Sequence, residues 1–493
     1  MHEAVATIPT TVAGSQREGV EVKLKLNPIA SLVLLPLLLL GLVLGLGSCS
    51  RGGGASADAA SFNVLIVVLD ALRPDKLGCY GFERPTSPEI DALAADPEAV
   101  VYRNHHVQGA FTKSSTASLF TGLFPFQHGV VEGHTAKKEE NWRDVSTQVL
   151  APSLETMAER LGARGFHSWG VVKSRHLVPD YGFAQGFDEY FGPAEVKNDD
   201  DRAEKVLELI DDAPGRFFGY VHFSATHHPY KEDDRDSEYI AEFGFPYDEE
   251  SRRAVGVDFT TPAIKHDILE GKTTLEPDDV RFLNLVYESS LKRCDRELFG
   301  SVVDGLKERG LYDSTLIILT SDHGEELYDH RGYAHAYHVW QEIVHVPMVV
   351  KFPKGLRPER LPEQVTDVTS AIDVMPALLD LLGDGDDDLP GVPIFKGETS
   401  SFTFTEARRR WGLIRKGWKL IRDVEADLLF DLRTDPGEQN DVAASEPEQL
   451  AAMKAFAQVV LDSAKGGKTV APVIDTALDQ DAIDELRQLG YIK

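Results

Sequence analysis

The sequence predicts an α/β domain built on a largely parallel sheet, and three observations lead there. Short runs of β-branched and aromatic residues alternate with longer amphipathic segments. The runs are almost wholly apolar, as strands covered on both faces are. Polar residues then cluster where the runs end.

Asn63-Val64-Leu65-Ile66-Val67-Val68-Leu69 is the first such strand, and Asp70 follows it. Phe217 to Phe223 and Thr315 to Thr320 are two more, ending near His227 and in Asp322-His323. In open α/β sheets the carboxyl ends of the strands form the ligand crevice, so residues far apart in the chain can share one site. Ser153 to Gly162, Ala203 to Asp211 and Val280 to Gly310 carry helical periodicity between the strands. Past Pro353 the pattern changes. A helix-like Ser370 to Leu382 leads into the Gly- and Asp-rich stretch Gly383 to Gly391, read as an interdomain linker. Its acidic spacing lacks the ligand set of an EF-hand, so no calcium loop is assigned there.

Ahead of the first strand, Ile29 to Gly47 is a Leu-rich apolar run preceded by Arg17, Lys23 and Lys25, and it stops at Leu46-Gly47-Ser48-Cys49. That tetrapeptide resembles a bacterial lipobox, with Cys49 as the lipidated first residue of the mature chain; an uncleaved membrane anchor is the other reading. Either one exports the remainder to a periplasmic or cell-surface location. The divisions expected are a signal peptide or anchor at 1–49, a small-residue tether at 50–61, a catalytic domain at 62–386 and a smaller subdomain at 387–493.

A length of 493 residues exceeds what one core usually supports. Fifty-one Lys and Arg against 80 Asp and Glu leave a net charge of −29, which disfavours nucleic acid as a partner and means an anionic substrate must be captured locally. Three cysteines are too few for a disulfide framework or a four-thiolate zinc site.

Several motifs follow in register. Leu69-Asp70-Ala71-Leu72-Arg73-Pro74-Asp75 with Gly78-Cys79-Tyr80-Gly81, then Thr112-Lys113-Ser114-Ser115-Thr116 through Gly122, then Ser321-Asp322-His323-Gly324-Glu325, and finally Trp418-Lys419-Leu420-Ile421 with Leu429-Phe430-Asp431-Leu432, resemble the sulfatase-like branch of the alkaline phosphatase superfamily. The resemblance spans nearly everything from about residue 62 onward. It implies a large, mostly parallel central sheet flanked by helices, with a smaller C-terminal α+β subdomain of antiparallel sheet plus helix.

Hydrolysing a phosphate or sulfate ester needs a nucleophile, a cation and a group to stabilise the leaving oxygen. Asp70, Asp322 and His323, each at a strand end, suit one divalent cation (Ca, Mn or Zn), and Thr112 is a further ligand. Taken singly, Asp70 could be a helix N-cap and Asp322-His323 a satisfied turn. Thr112 stands just before an apparent helix Ser114 to Phe120. It either caps that helix or, at the same N-terminus, attacks an anion held by unpaired N–H groups. Lys113, Ser114 and Ser115 are candidate donors to the substrate's oxygens, with Lys113 alternatively a solvated charge.

By resemblance His227, in Thr226-His227-His228-Pro229, is the leaving-group proton donor or oxyanion stabiliser, and His335 a basic group beside the substrate's charged oxygens. His330 and His338 read as loop or rim residues. Ala225 stands where two-metal relatives carry Asp, so one metal is expected.

Sulfatases proper carry Cys or Ser, then Pro two residues and Arg four residues later, the signature for oxidation to formylglycine. Here those positions are Thr112, Ser114 and Thr116. No formylglycine is therefore expected. A sulfated Thr lacks the carbon–oxygen exit open to a formylglycine hydrate, whereas a phosphorylated Thr can turn over by in-line attack at phosphorus, which favours phosphoester chemistry. Related branches of the superfamily use Thr nucleophiles, among them nucleotide pyrophosphatases, lipoteichoic acid synthases and phosphoethanolamine transferases. The expected substrate is a small-molecule or glycan ester, with membrane contact through the N-terminal lipid or helix. Two alternatives stay open: transfer of the group to a lipid or glycan alcohol, and a catalytically silent binding protein on the same fold.

Overall fold

A run such as NVLIVVL has no polar face to give to water, so it is stable only inside a sheet covered on both sides. Asn63–Leu69 (β1) is such a strand, buried at every position. The computed structural model describes residues 62–131, 135–136, 145–224, 226–230, 236–244, 259, 263–386, 388–424, 426–466 and 474–477, all in one compact unit. The apolar run at 29–47, Cys49, the tether at 50–61 and Ala225 lie outside the described residues. Among those described, no helix is long and apolar enough to cross a membrane.

With β1, the segments Ala99–His106 (β2), His167–Val172 (β3), Glu189–Phe191 (β4), Phe217–Phe223 (β5), Thr315–Thr320 (β6), His345–Lys351 (β7), Gln364–Val365 (β8) and Thr369–Ser370 (β9) form a nine-stranded sheet. Its order is β8-β2-β7-β6-β1-β5-β3-β4, with β9 also on β2. β1 runs parallel to β5, Ile66 opposite Tyr220, and parallel to β6, Ile66 opposite Ile318. β7 runs antiparallel to both of its neighbours. The carboxyl ends of β1, β5 and β6 therefore lie side by side.

The strand period of two splits β1 between two cores. Val64, Ile66 and Val68 pack with Phe120, Met157, Leu161 and Phe395 on one face. Leu65, Val67 and Leu69 pack with Val206, Leu283, Val286 and Leu298 on the other. The periodicity over Val280 to Gly310 resolves into helix Pro277–Arg293, a wider π turn Cys294–Phe299 and helix Gly300–Glu308. Asp295 in that turn accepts from the N–H groups of Glu89 and Ile90 at 2.9 Å each, tying it to the helix Pro88–Ala94.

Thr403–Ala407 (β10), Arg410–Arg415 (β11), Trp418–Arg422 (β12) and Asp427–Asp431 (β13) form a separate antiparallel sheet in chain order. Helix Pro447–Gly466 covers one face, with Met453 and Val460 among Phe404, Leu413, Leu420 and Leu429. Ala407, Ile421 and Phe430 on the other face meet Val339, Ile343 and Val344. The Gly383 to Gly391 stretch is anchored, with Asp386 paired to Arg160 at 2.8 Å and Asp384 to Arg164.

Candidate active site

The ends of β1 and β6 are stitched together before any ligand is considered. The Ser321 hydroxyl donates to the Leu69 carbonyl at 2.7 Å and accepts from the Leu72 N–H at 2.9 Å, while Ala71 N–H reaches Asp322 Oδ1 at 3.4 Å. Asp70 N–H donates to Phe223 O at 2.9 Å and so continues the β1–β5 ladder. Asp70, Asp322 and His323 thereby converge, all buried, with one ligand atom of each within 4.8 Å of the others. His323 Nε2 stands 3.4 Å from Asp70 Oδ1, 3.5 Å from Asp322 Oδ2 and 3.4 Å from the Thr112 hydroxyl oxygen. The four residues expected to meet do meet.

Thr112 differs from its expected place by one structural step. The helix begins at Thr112 and runs to Thr121, and its N-cap is Phe111, with no side-chain cap. The Thr112 hydroxyl is therefore not consumed in capping and points at His323 and Asp322. The Lys113 ammonium turns into the protein, donating to Thr147 and to the Gln148 carbonyl at 3.2 Å, and sits 4.0 Å from the Tyr181 ring. Burial pushes it down to about 7. Ser115 lines, with Thr116, Tyr220 and Asp322, a buried hollow of about 10 Å³, room for one water. Ser114 Oγ is also buried.

The donor set fits a divalent cation. Asp70 Oδ1 is buried with no hydrogen-bond partner among the described residues. His323 Nδ1 lies 2.8 Å from the Gly324 carbonyl, which only an N–H can satisfy, so Nε2 is the nitrogen that would turn a lone pair to a cation bound between the two carboxylates. Three acceptors facing one another need positive charge between them. Burial, reinforced by the charges of Asp322 and Glu325, lifts the Asp70 carboxyl well above the usual range. Burial opposes ionisation of Asp322 too, but facing His323 and His222 outweighs it and holds that carboxyl low. His222, at the end of β5, places Nε2 3.4 Å from Asp322 Oδ2 and 3.8 Å from Asp70 Oδ2.

A second group stands beside the first. His227, His228 and His335 each bring a ring nitrogen within 4.8 Å of the others, and the His335 ring centroid is 4.0 Å from that of His323. Glu325, fully buried, organises them. Its Oε1 accepts from His335 Nδ1 at 2.8 Å, and its Oε2 accepts from the His228 N–H and the Tyr230 hydroxyl at 3.2 Å each. Burial, aided by neighbouring rings, pushes His227 and His335 well below the usual imidazole range. Since Nδ1 of His227 faces the His228 carbonyl, both neutral rings carry their proton on Nδ1 and present Nε2 as an acceptor. His330 and His338 stand apart, bonded to Glu342 at 2.6 Å and to Glu326 at 2.7 Å.

His222, His228 and Glu325 are the residues that sequence reasoning did not assign. The available signal was a histidine inside the otherwise apolar Phe217–Phe223 and a carboxylate directly after Asp322-His323-Gly324.

Fold and site together define a class: a wound α/β domain with two carboxylates, an imidazole and a helix-terminal hydroxyl gathered at the ends of its central strands. The chain belongs to the sulfatase family, whose model matches residues 62–384. It is 24% identical over 394 residues to human iduronate 2-sulfatase, covering 66% of each chain, and 23% identical over 442 residues to an uncharacterized sulfatase of Escherichia coli (strain K12), covering 77% of this chain and 82% of that one. Its match to arylsulfatase K of Gallus gallus spans only 39% of that protein. Among solved structures it resembles a phosphonate monoester hydrolase of Agrobacterium radiobacter, TM-score 0.62 at 20% identity over 85% of this chain and 100% of that one. It also resembles a 2-O GAG sulfatase, TM-score 0.65 at 17% identity over 86% and 96%. At these identities the structural likeness is one of fold.

Proposed function

We propose that this chain hydrolyses anionic esters with Thr112 as nucleophile and one divalent cation on Asp70, Asp322, His323 and Thr112, phosphate esters being favoured over sulfate esters. The observation that carries the reading is the Thr112 hydroxyl, buried at a helix N-terminus and 3.4 Å from His323 Nε2 in the carboxylate cradle. A cation bound there supplies a Lewis acid and lowers the pKa of the hydroxyl. An imidazole among the donors suits Mn or Zn better than Ca, which prefers all-oxygen sets.

Thr112 Oγ gives up its proton to solvent and attacks phosphorus in line, and the bond from phosphorus to the ester oxygen breaks as the bond to Thr112 forms. The departing oxygen takes a proton from His227 or His335, each of which must first be protonated at Nε2, a state that a dianionic ester favours. Water then attacks phosphorus on the opposite side, passing a proton to whichever of His227 and His335 gave one up, and the phosphorus–Thr112 bond breaks, releasing phosphate while Oγ takes a proton from solvent. Fixed N–H groups at the start of the helix hold the equatorial oxygens through both steps.

The test is intact-mass analysis of the full chain with manganese and a panel of aryl phosphate monoesters, phosphodiesters and sulfate esters, beside Thr112→Ala. Turnover and a phospho-adduct that both vanish in the variant are expected. Ester cleavage that survives in Thr112→Ala refutes the nucleophile assignment.

A further inference from the structure

We propose that the turn at Arg408-Arg409, carried by the C-terminal sheet, is a recognition subsite for a second oxyanion on the substrate, a carboxylate or a further sulfate or phosphate group beyond the scissile ester. The proposal rests on the ester-hydrolase reading and deepens it.

Three chain segments meet beside the nucleophile. Gly109, three residues before Thr112, bridges Glu406, and the Glu406 N–H donates to the Gln108 carbonyl at 2.8 Å. Ala336 N–H, next to His335, donates to the Ala110 carbonyl at 3.0 Å. Arg410 donates to the Tyr337 carbonyl at 2.9 Å and is neutralised by Asp423 at 2.7 Å. The β10–β11 turn is thus pinned between the loop that carries Thr112 and the loop that carries His335.

What that turn presents is unusual for its backbone. Arg408 sits at its tip with φ +53°, a conformation that favours glycine, yet the residue there has a long cationic side chain. The Arg408 guanidinium lies 4.5 Å from the Tyr337 ring centroid, and the Lys265 ammonium approaches the same ring at 5.5 Å. Arg408 and Arg409 are both exposed, and neither has an ion pair among the described residues, in a chain with 80 acidic side chains. Exposed guanidiniums without an ion pair among the described residues, on a turn docked to the loops of Thr112 and His335 in a protein of net charge −29, offer forked hydrogen bonds to a planar or tetrahedral oxyanion.

The experiment measures binding of phenyl phosphate, 4-carboxyphenyl phosphate and 4-sulfophenyl phosphate by calorimetry to the full manganese-loaded chain carrying Thr112→Ala, with and without Arg408→Gly plus Arg409→Ser. Glycine suits the +53° backbone, so the variant keeps the turn. We expect the doubly anionic probes to bind about tenfold tighter than phenyl phosphate, with the advantage lost in the variant and reduced by salt. Preference for the carboxylate or the sulfonate tells which oxyanion the turn reads. Equal affinities for the three probes, or an equal loss for all three in the variant, overturns the proposal. Loss of wild-type turnover with the binding ratio intact counts against the hydrolase reading alone.

Discussion

Replacing Glu325 by Gln changes one oxygen to an NH2 group at the point where the second histidine group is organised. The carboxylate is fully buried and uses both oxygens, one for His335 Nδ1 at 2.8 Å and one for the His228 N–H and the Tyr230 hydroxyl at 3.2 Å each. An amide has a single acceptor. If it serves His228 and Tyr230, its NH2 faces His335 Nδ1 and drives the ring proton to Nε2, so the site gains a donor where it had an acceptor. If it serves His335, two buried donors lose their partner. Either way about one charge-assisted hydrogen bond is lost and another weakened, about 3 kcal/mol in all, which converts to a fall of roughly 10²-fold in kcat/KM. The assay is kcat/KM for an aryl phosphate across pH, with circular dichroism and manganese affinity measured on the same samples. A folded Glu325→Gln enzyme with wild-type kcat/KM and an unchanged pH profile would show that the tautomer of His335 does not matter, and would refute the reasoning.

Manganese at about 100 times its Kd should stabilise the chain by about 2.7 kcal/mol, and Asp322→Asn should abolish that shift in a thermal melt. Burial opposes a charged His330, but the adjacent Glu342 outweighs it and raises its pKa to about 9 from 6.5, so the stabilisation is fully present below 6.5 and lost as pH rises through 9. The Tm of His330→Gln should therefore fall below wild type at pH 6 and converge with it above pH 9. Lys419 and Glu438 form a buried pair at 2.7 Å in which burial pushes the lysine down and the glutamate up, so charging both is costly. Lys419→Met should cost about 3–5 kcal/mol in denaturant unfolding, and adding Glu438→Gln, which removes the charge but still accepts from the Gln341 N–H at 2.6 Å, should recover part of it.

Strands were the most legible part of the chain. β1, β5 and β6 stand at the residues read from their apolar runs, because a strand covered on both faces leaves no polar position to blur its ends. Asp70, Thr112, Asp322 and His323 were legible through motif resemblance, and their meeting follows from parallel strands that end at one level. The direction of side chains on the nucleophile helix was not. Lys113 and Ser115 neighbour Thr112 in sequence, but successive helical residues point about 100° apart, so one turns to Thr147 and the other to a hollow beneath Asp322. Glu325 reads as part of a turn until His228 and His335, which lie 97 and 10 residues from it along the chain, are seen to share its oxygens. The Arg408 turn could not have been placed, since nothing local announces that β10 docks on Gly109.

The central position of β1 also sets the order in which the protein can be made. Its two ladder partners arrive late: Val64 pairs with Phe218 on one edge and with Leu316 on the other. A nascent chain that has emerged only as far as helix Gly300–Glu308 holds its most apolar strand with one edge bare, and Asp70 without Asp322. Closure of such distant pairs is slow, so the growing chain has to be shielded from self-association until β6 appears. The cradle is completed only when β6 delivers Asp322 and His323.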